Sequence, residues 1–549
     1  MAMTGSDLVA QALKRQGVEA FFYIMGAPML SVEAAALALG LRGIDVRHEQ
    51  AAAMAAHAWA RLRNRPGVCM AASGPGTTNL ITGVAHAFAD CTPVLALGGS
   101  SPANESRRGT FQEIDQLAML APCTKWADRV HHPERIPEFI DRAVRAAMSG
   151  KPGPVYLDLP GDVLFAEVDA AAVVWPEPWD PALRSRPAAR AEDVARLVDL
   201  LAAAERPVVV SGTGVLWSEA EAELQAFVEA AGIPFYTTPQ GRGAVPEDHA
   251  LCYLTARSAA FREADLILVI GTRMNYVIGH AAPPRFNADA KLVRIDIDPS
   301  EIAGSPRRLD LGLVADARAA LRQLTAALAG RIGPEAYAPW RERLRGRNES
   351  RLADQEAALA SAAAPIHPLR LCRELRDFID RDAVLCVDGQ EILNYARQSI
   401  PTFVPRHRLN SGAFGTMGVG MPFGIGAKVA CPDRQVVVLH GDGSFGMNAM
   451  EFDTAVRHGL PVLVVISLNG GWTGDPKRER PGRDLGYTRF DRIAEALGGH
   501  GEFVEEPDGI RPALERAMAA VRGGTPALVN VVTDWRARAS TAEFTRYVT

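Results

Sequence analysis

The sequence predicts an α/β protein of three doubly wound domains, each built on a parallel sheet. Three observations carry that prediction. Short runs of β-branched and aliphatic residues alternate with longer stretches of helical period. The runs are apolar almost throughout, as strands covered on both faces must be. Two shifts in composition then cut the chain into three stretches that repeat the same rhythm. The first, "VVWPEPWDPALRSRPAARA" at 173–191, is rich in proline and has no apolar period. The second, at 333–368, is polar, partly helical in pattern and ends in prolines. Both have the composition of linkers. The domains expected are 1–172, 190–332 and 366–549.

Taken in order, the chain opens on "MAMTGSDLVAQALKRQG", which reads as an amphipathic helix and not as a cleaved leader. In the first domain "GIDVRH", "GVCMAAS", "PVLALGG" and "PVYLDLP" read as buried strands. In the second, "RPVVVSGTG", "IPFYTT", "DLILVIGT" and "KLVRIDIDP" do so, and in the third "AVLCVDG", "QVVVLHGDG", "PVLVVISLNGG" and "PALVNVVTD". Composition narrows the function classes. The 549 residues, 48% hydrophobic and 22% charged, suffice for several ordinary cores. A net charge of −5 offers no electrostatic ground for nucleic acid. The longest apolar runs are far too short to span a bilayer, so no membrane partner is expected. The seven cysteines are scattered and form no C-x-x-C pair. That argues against a zinc site or a disulfide framework and fits a reducing, cytoplasmic setting.

The chemistry concentrates in "GDGSFGMNAMEFDTAVRHGLPVLVVISLNGGW" (441–472). Gly-Asp-Gly and Asn-Gly are each, alone, ordinary turn dipeptides. Together they end two successive strands, with "NAMEFDTAVRHG" between them reading as a single crossover helix. Parallel sheets open a ligand crevice at the carboxyl ends of their strands, so Asp442 and Asn469 become neighbours there. A carboxylate, an amide oxygen and a nearby backbone carbonyl are hard donors that suit Mg²⁺. Gly443 and Ser444 lead into the helix, where free N–H groups favour an anion. The stretch therefore predicts a Mg²⁺-bound diphosphate.

At these residues the chain resembles the thiamine diphosphate enzymes. Their motif ends in Asn-Asn, whereas Gly470 follows Asn469 here. The resemblance implies that Asp442, Asn469 and the carbonyl of Gly471 hold the metal, so the departure removes no ligand. It also supplies a second half-site. "HEQAAAMAAHAWAR" matches the family segment whose glutamate stands beside N1′ of the cofactor's aminopyrimidine, which makes Glu49 the activating acid. Taken alone, an acid in a helix's first turn equally complements the dipole. "SGPGTTN" (73–79) is similar to the segment lining the pyrimidine and points to Pro75 and Asn79. "SGAFGTMG" (411–418) is similar to the segment around the thiazolium, with Gly415 as a carbonyl acceptor and Met417 as the apolar wedge; a core methionine is the competing reading. "VDGQEIL" (387–393) suggests Gly389 and Gln390 at the diphosphate. An acid at Glu391 is ill placed for that role, so it is expected to point away or to serve the substrate.

The resemblance covers nearly the whole chain, in the order pyrimidine-binding, central Rossmann-like and diphosphate-binding domain. It implies a homodimer or homotetramer with active sites between subunits. Within the family, "ARSAAFREADLILVIGTRMNYVIGH" (256–280) is similar to the branch acting on CoA thioesters; acetolactate synthases carry Asp-Asp near Asn275-Tyr276. That branch implies ADP, or the ADP part of CoA, in the central domain, with Arg257, Asp296 and Asp316 as candidates. Asp296 and Asp298 equally fit caps of the following turn. Phe-Gln-Glu at 111–113 resembles both synthases and lyases, whereas oxalyl-CoA decarboxylases tend to have Tyr-Glu at Phe111-Gln112, which tilts the expectation toward a lyase with Gln112 on a substrate oxygen. Trp472, the basic loop 475–483 and the C-terminal tail are candidate substrate contacts, the last two as lids. The expected activity is cleavage of a 2-hydroxyacyl-CoA to formyl-CoA and an aldehyde or ketone. Acetolactate synthase-like carboligation or decarboxylation of 2-ketoacids, and oxalyl-CoA decarboxylation, are the alternatives.

Overall fold

The computed structural model describes residues 2–472 and 478–539. Its fold is three parallel-sheet α/β units, one in each of the stretches that the composition separates. All twelve apolar runs read as strands form strands. The N-terminal sheet has six strands, ordered Arg42–Asp45, Ala20–Tyr23, Gly67–Ala71, Val94–Ser100, Val155–Pro160 and Trp126–Arg129. The C-terminal sheet is ordered Arg408–Asn410, Val384–Asp388, Val436–Gly441, Leu463–Leu468, Ala527–Val532 and His500–Val504. Counted in chain order, both sheets run second, first, third, fourth, sixth, fifth, with every pairing parallel. The middle sheet has five parallel strands: Phe235–Thr237, Pro207–Ser211, Leu266–Ile270, Lys291–Asp296 and Leu311–Val314.

In both six-stranded sheets the chain reverses direction of winding between its first and third strands. Crevices for ligands open at such switch points, at the carboxyl ends of the strands. In the C-terminal sheet those ends carry Asp388-Gly389 and Gly441-Asp442, which sets the predicted diphosphate residues where topology favours a ligand.

The two outer domains also pack on each other through equivalent helices. Glu49–Arg63 follows the second strand of the first sheet, and Gly420–Ala430 follows the second strand of the last. Small residues meet at their closest approach, where Gly426 lies against Ala55. A methyl group on Gly426 would overlap the carbonyl of Ala55. One apolar core therefore runs through both domains, from Ala52 and Trp59 to Val438 and Ile466.

Two elements differ from expectation. The chain opens with a strand, Ala2–Thr4, paired antiparallel to Glu167–Asp169, and the amphipathic helix starts only at Gly5. Thr4 caps it, forming a capping box with Asp7. The crossover after Gly441 is two helices, Asp442–Met447 and Glu451–Arg457, not one. The break is tertiary in origin. Asn448 donates to the Gly418 carbonyl at 2.6 Å and accepts from Gln50 Nε2 at 3.0 Å, so its side chain serves neighbouring segments.

Candidate active site

The diphosphate half-site grows out of the C-terminal switch point. Asp442, Gly443, Ser444, Asn469 and Gly471 line one small cavity of about 40 Å³. Gly389, Gln390, Met417 and Trp472 also line it. Asp442 is buried and starts a helix directly after its strand. Oδ1 accepts the Gly443 amide at 2.8 Å, while Oδ2 is buried and has no hydrogen-bond partner among the described residues. Burial pushes the Asp442 carboxyl up to about 6, against the opposing pull of the Gly443, Gly470 and Gly471 amides and of Arg483. A buried carboxylate oxygen left without a donor is costly unless a cation meets it. Gly389 stands at φ +119°, and a Cβ there would lie 3.0 Å from the Gly441 amide nitrogen. The backbone is thus bare on both sides of the crevice. An orphaned acid beside a cradle that side chains would fill fits a divalent cation and a diphosphate.

The remaining predicted residues take more particular positions. Asn469 Oδ1 accepts from the Gly471 amide at 3.3 Å, and its carbonyl accepts from Arg478 at 2.7 Å. The Ser444 hydroxyl turns inward to the Gly441 carbonyl at 3.0 Å, so its backbone, not its hydroxyl, faces a ligand. Trp472 lays its indole against the bare α-carbon of Gly443, inside the diphosphate cavity. Glu391 lines the same cavity. It accepts the Ala539 amide at 3.0 Å and so ties down the start of the C-terminal tail. Residues 475–477 of the basic loop and 540–549 of the tail lie outside the described residues.

Glu49 is the first residue of its helix, and three contacts set it there. Glu451, from the C-terminal domain, accepts the backbone amides of Arg47 and His48 at 3.0 and 3.1 Å. His48 caps the helix by accepting the Gln50 amide. Asn79 Nδ2 donates to Glu49 Oε2 at 2.9 Å. Pro75 opens the short helix Pro75–Asn79, and Gly76 packs beside the Glu49 carboxylate. Gln112 stands beside Gly74 at φ +58°, in the left-handed region that non-glycine residues seldom adopt. Its carbonyl accepts from Ser73 at 3.2 Å. The buried neighbour Gln116 organises this corner: it accepts the Gly74 amide and donates to Gly99, Tyr156 and Asp158. Nothing in its local sequence distinguishes Gln116 from a surface glutamine.

A larger cavity, about 240 Å³, is lined by residues of all three domains, among them Asp90, Tyr276 and Ala413. Gly415 and Met417 line it, with Gly389 and Gln390 at its inner end. It adjoins two others. One, about 100 Å³, is walled by Arg242, Arg257, Arg351 and Arg397 with Glu247 as its single acid. The other, about 70 Å³, lies over the carboxyl ends of the central sheet and takes in Asp296 and Asp316. The structure therefore separates Arg257 from the two aspartates with which it was grouped. Both aspartates also have internal duties. Asp316 caps the helix Ala317–Leu328 and accepts the Ser218 hydroxyl, and Asp296 accepts the Asp298 amide at 3.1 Å. Asp298 caps the next helix, as the turn reading foresaw.

The fold is that of an α/β protein in which two domains of the same topology pack on each other, one carrying a buried acid and a nearby amide at the ligand crevice of its sheet and the other a glutamate at the start of a helix. Comparison with known proteins agrees along the chain. The N-terminal TPP binding domain of thiamine pyrophosphate enzymes matches residues 3–119, their central domain 194–324 and their C-terminal TPP binding domain 392–531. The chain belongs to the thiamine pyrophosphate enzyme family. It is 37% identical to a probable acetolactate synthase of Mycobacterium bovis, covering 97% of this chain and 96% of that one. It is 35% identical to a 2-hydroxyacyl-CoA lyase of Oryza sativa subsp. japonica, over 97% and 96%. It is 32% identical to an oxalyl-CoA decarboxylase of Escherichia coli K12, over 99% and 97%. Among the described residues no helix is long and apolar enough to cross a membrane.

Proposed function

We propose that the chain is a 2-hydroxyacyl-CoA lyase, cleaving its substrate to formyl-CoA and an aldehyde or ketone. The observation that carries this reading is the arginine-walled cavity. Four guanidinium groups and one carboxylate surround it, and that carboxylate is already paired with Arg242. Burial and the neighbouring Arg285, Arg397 and Arg242 push Arg257 down to about 9. Such crowding of like charge is relieved by a bound polyanion. The cavity shares Pro239 and Arg397 with the larger one that reaches Gly415 and Met417. A substrate with phosphates at one end and its reacting carbonyl at the other suits that layout. A small 2-ketoacid has only one carboxylate to offer the arginines and is too short to reach Gly415 and Met417 from there.

Bound thiamine diphosphate would supply a carbanion nucleophile and the electron sink for breaking the carbon–carbon bond. Asp442, Asn469 and the Gly471 carbonyl would hold its Mg²⁺. Glu49, oriented by Asn79, would exchange a proton with the aminopyrimidine. Gln112 would hydrogen-bond a substrate oxygen. The central-domain cavity over Asp296 and Asp316 would hold ADP.

A 2-ketoacid reaction is the second reading, favoured by the 37% identity to the probable acetolactate synthase. Incubation with thiamine diphosphate, Mg²⁺ and either several 2-hydroxyacyl-CoA chains or pyruvate separates the two. Formyl-CoA is the expected product. Acetolactate without formyl-CoA overturns the lyase reading.

A further inference from the structure

We infer that Asp90 and Tyr276 form a two-sided clamp on the Ala413 peptide and so position Gly415 and Met417, which rests on the thiamine diphosphate reading of those two residues. Ala413 belongs to the C-terminal domain, Asp90 to the N-terminal domain and Tyr276 to the central one. Asp90 Oδ1 accepts the Ala413 amide at 3.2 Å. Tyr276 Oη donates to the Ala413 carbonyl at 2.8 Å. Both backbone groups of one residue are therefore held from outside its own domain. Gly415 lies two residues further on and Met417 four, and all five residues border the same cavity.

Asp90 is itself fixed from several sides. Its Oδ2 accepts from Gln240 Nε2 at 2.6 Å and from His86 Nε2 at 3.2 Å. Gln240 is in turn gripped by the buried Arg61, which donates to its side-chain oxygen and, at 2.9 Å, to its carbonyl. Burial pushes the Asp90 carboxyl up, but His86, His57 and Arg61 outweigh it and hold it at about 2. The acceptor is thus a carboxylate throughout the working range. Gly412 completes the fit. It stands at φ +56°, and a methyl group there would overlap the Asp90 carboxylate. The Phe414 ring stacks on His86 at 6.4 Å.

A metal ion is the competing use of this cluster, since His57, His86 and Asp90 offer ligand atoms within 4.8 Å of one another. The donor chemistry opposes it. A metal-bound imidazole normally donates its second N–H, whereas Nδ1 of both histidines is buried with no partner among the described residues. The Asp90 oxygens are already taken by three donors.

The test titrates thiamine diphosphate with Mg²⁺ into the full chain and its Asp90→Ala, Asp90→Asn, Tyr276→Phe and Asp90→Asn/Tyr276→Phe variants. Melting temperatures are taken without cofactor. Each single substitution that frees one side of Ala413 should raise the cofactor Kd about tenfold. Asp90→Asn, which keeps an oxygen for the amide, should do so less than Asp90→Ala. The double variant should fall short of the product of its singles, because both act on one residue. Product formation at saturating cofactor should fall in the same order. Tyr276→Phe removes one half-exposed hydroxyl, so it remains informative if the Asp90 variants fold poorly. Lowered melting temperatures with unchanged Kd, or effects that multiply, overturn the clamp alone. No saturable binding by the unsubstituted chain overturns the cofactor assignment and the clamp with it.

Discussion

Arg257 and Glu33 show opposite consequences of burying a charge. Arg257 sits among other arginines, so its removal relieves repulsion in the empty protein and takes away attraction only when an anion is bound. Arg257→Gln should therefore raise KM for an acyl-CoA about tenfold to a hundredfold, with kcat nearly unchanged, the signature of lost uniform binding. Steady-state kinetics on the acyl-CoA substrate check this, and an equal fall in kcat would contradict it. Glu33 is a buried acid, 2% exposed, with neither oxygen partnered among the described residues. Burial pushes it up to about 8. Its folded-state pKa lies above its unfolded value, so the native state holds the proton more tightly. The resulting stability is complete below about pH 4.5 and is lost as pH rises through 8. The span corresponds to roughly 3–5 kcal/mol. Glu33→Gln cannot titrate, so its melting temperature should overtake that of the unsubstituted chain between pH 5 and 8. A constant difference across that range would show that Glu33 does not titrate there.

At the scale of elements, the helices Glu49–Arg63 and Gly420–Ala430 approach closely because the residues between them are alanine and glycine. Gly426→Ala places a methyl group against the Ala55 carbonyl, which belongs to rigid helix backbone. Overpacking of this kind costs about 1–3 kcal/mol, to be read from the midpoint of chemical denaturation. The same helix carries Glu49 at its start, so the substitution should also weaken turnover. This scale marks how far local sequence can be read. Runs such as "VVVL" and "LVVISL" announce buried strands because both faces are covered. The strands Trp126–Arg129 and His500–Val504 lie at or beside sheet edges, are only half-buried and lack that run. Their pairing is decided by neighbours distant in sequence. The break at Asn448 escaped for the same reason, since its partners are Gly418 and Gln50. At the site, Asp442 and Asn469 could be read because one βαβ unit brings them together. Asp90, Glu451 and Gln116 could not, because each acts on backbone far along the chain. Arg257 and Asp296 line separate cavities, a division that local sequence does not carry.

At the scale of the molecule, the division of the site between two related domains has a consequence for assembly. Glu49, Pro75 and Asn79 line neither of the cavities that hold Asp442, Asn469, Gly415 and Met417. Glu49 is only partly buried within a single chain. A cofactor touching both sets is therefore best served by two copies, the glutamate half of one facing the diphosphate half of the other. In a two-fold dimer both sites would be built this way. Subunit mixing then gives a result that one-chain sites cannot. Glu49→Gln and Asp442→Asn variants, each inactive alone, are dissociated, mixed in equal amounts and reassociated. Half of the dimers formed at random are hybrids. Each hybrid has one site with both substitutions and one site with neither. The mixture should recover about a quarter of the unsubstituted activity. If Glu49 instead served the Asp442 of its own chain, every site in every dimer would carry one lesion, and mixing would restore nothing.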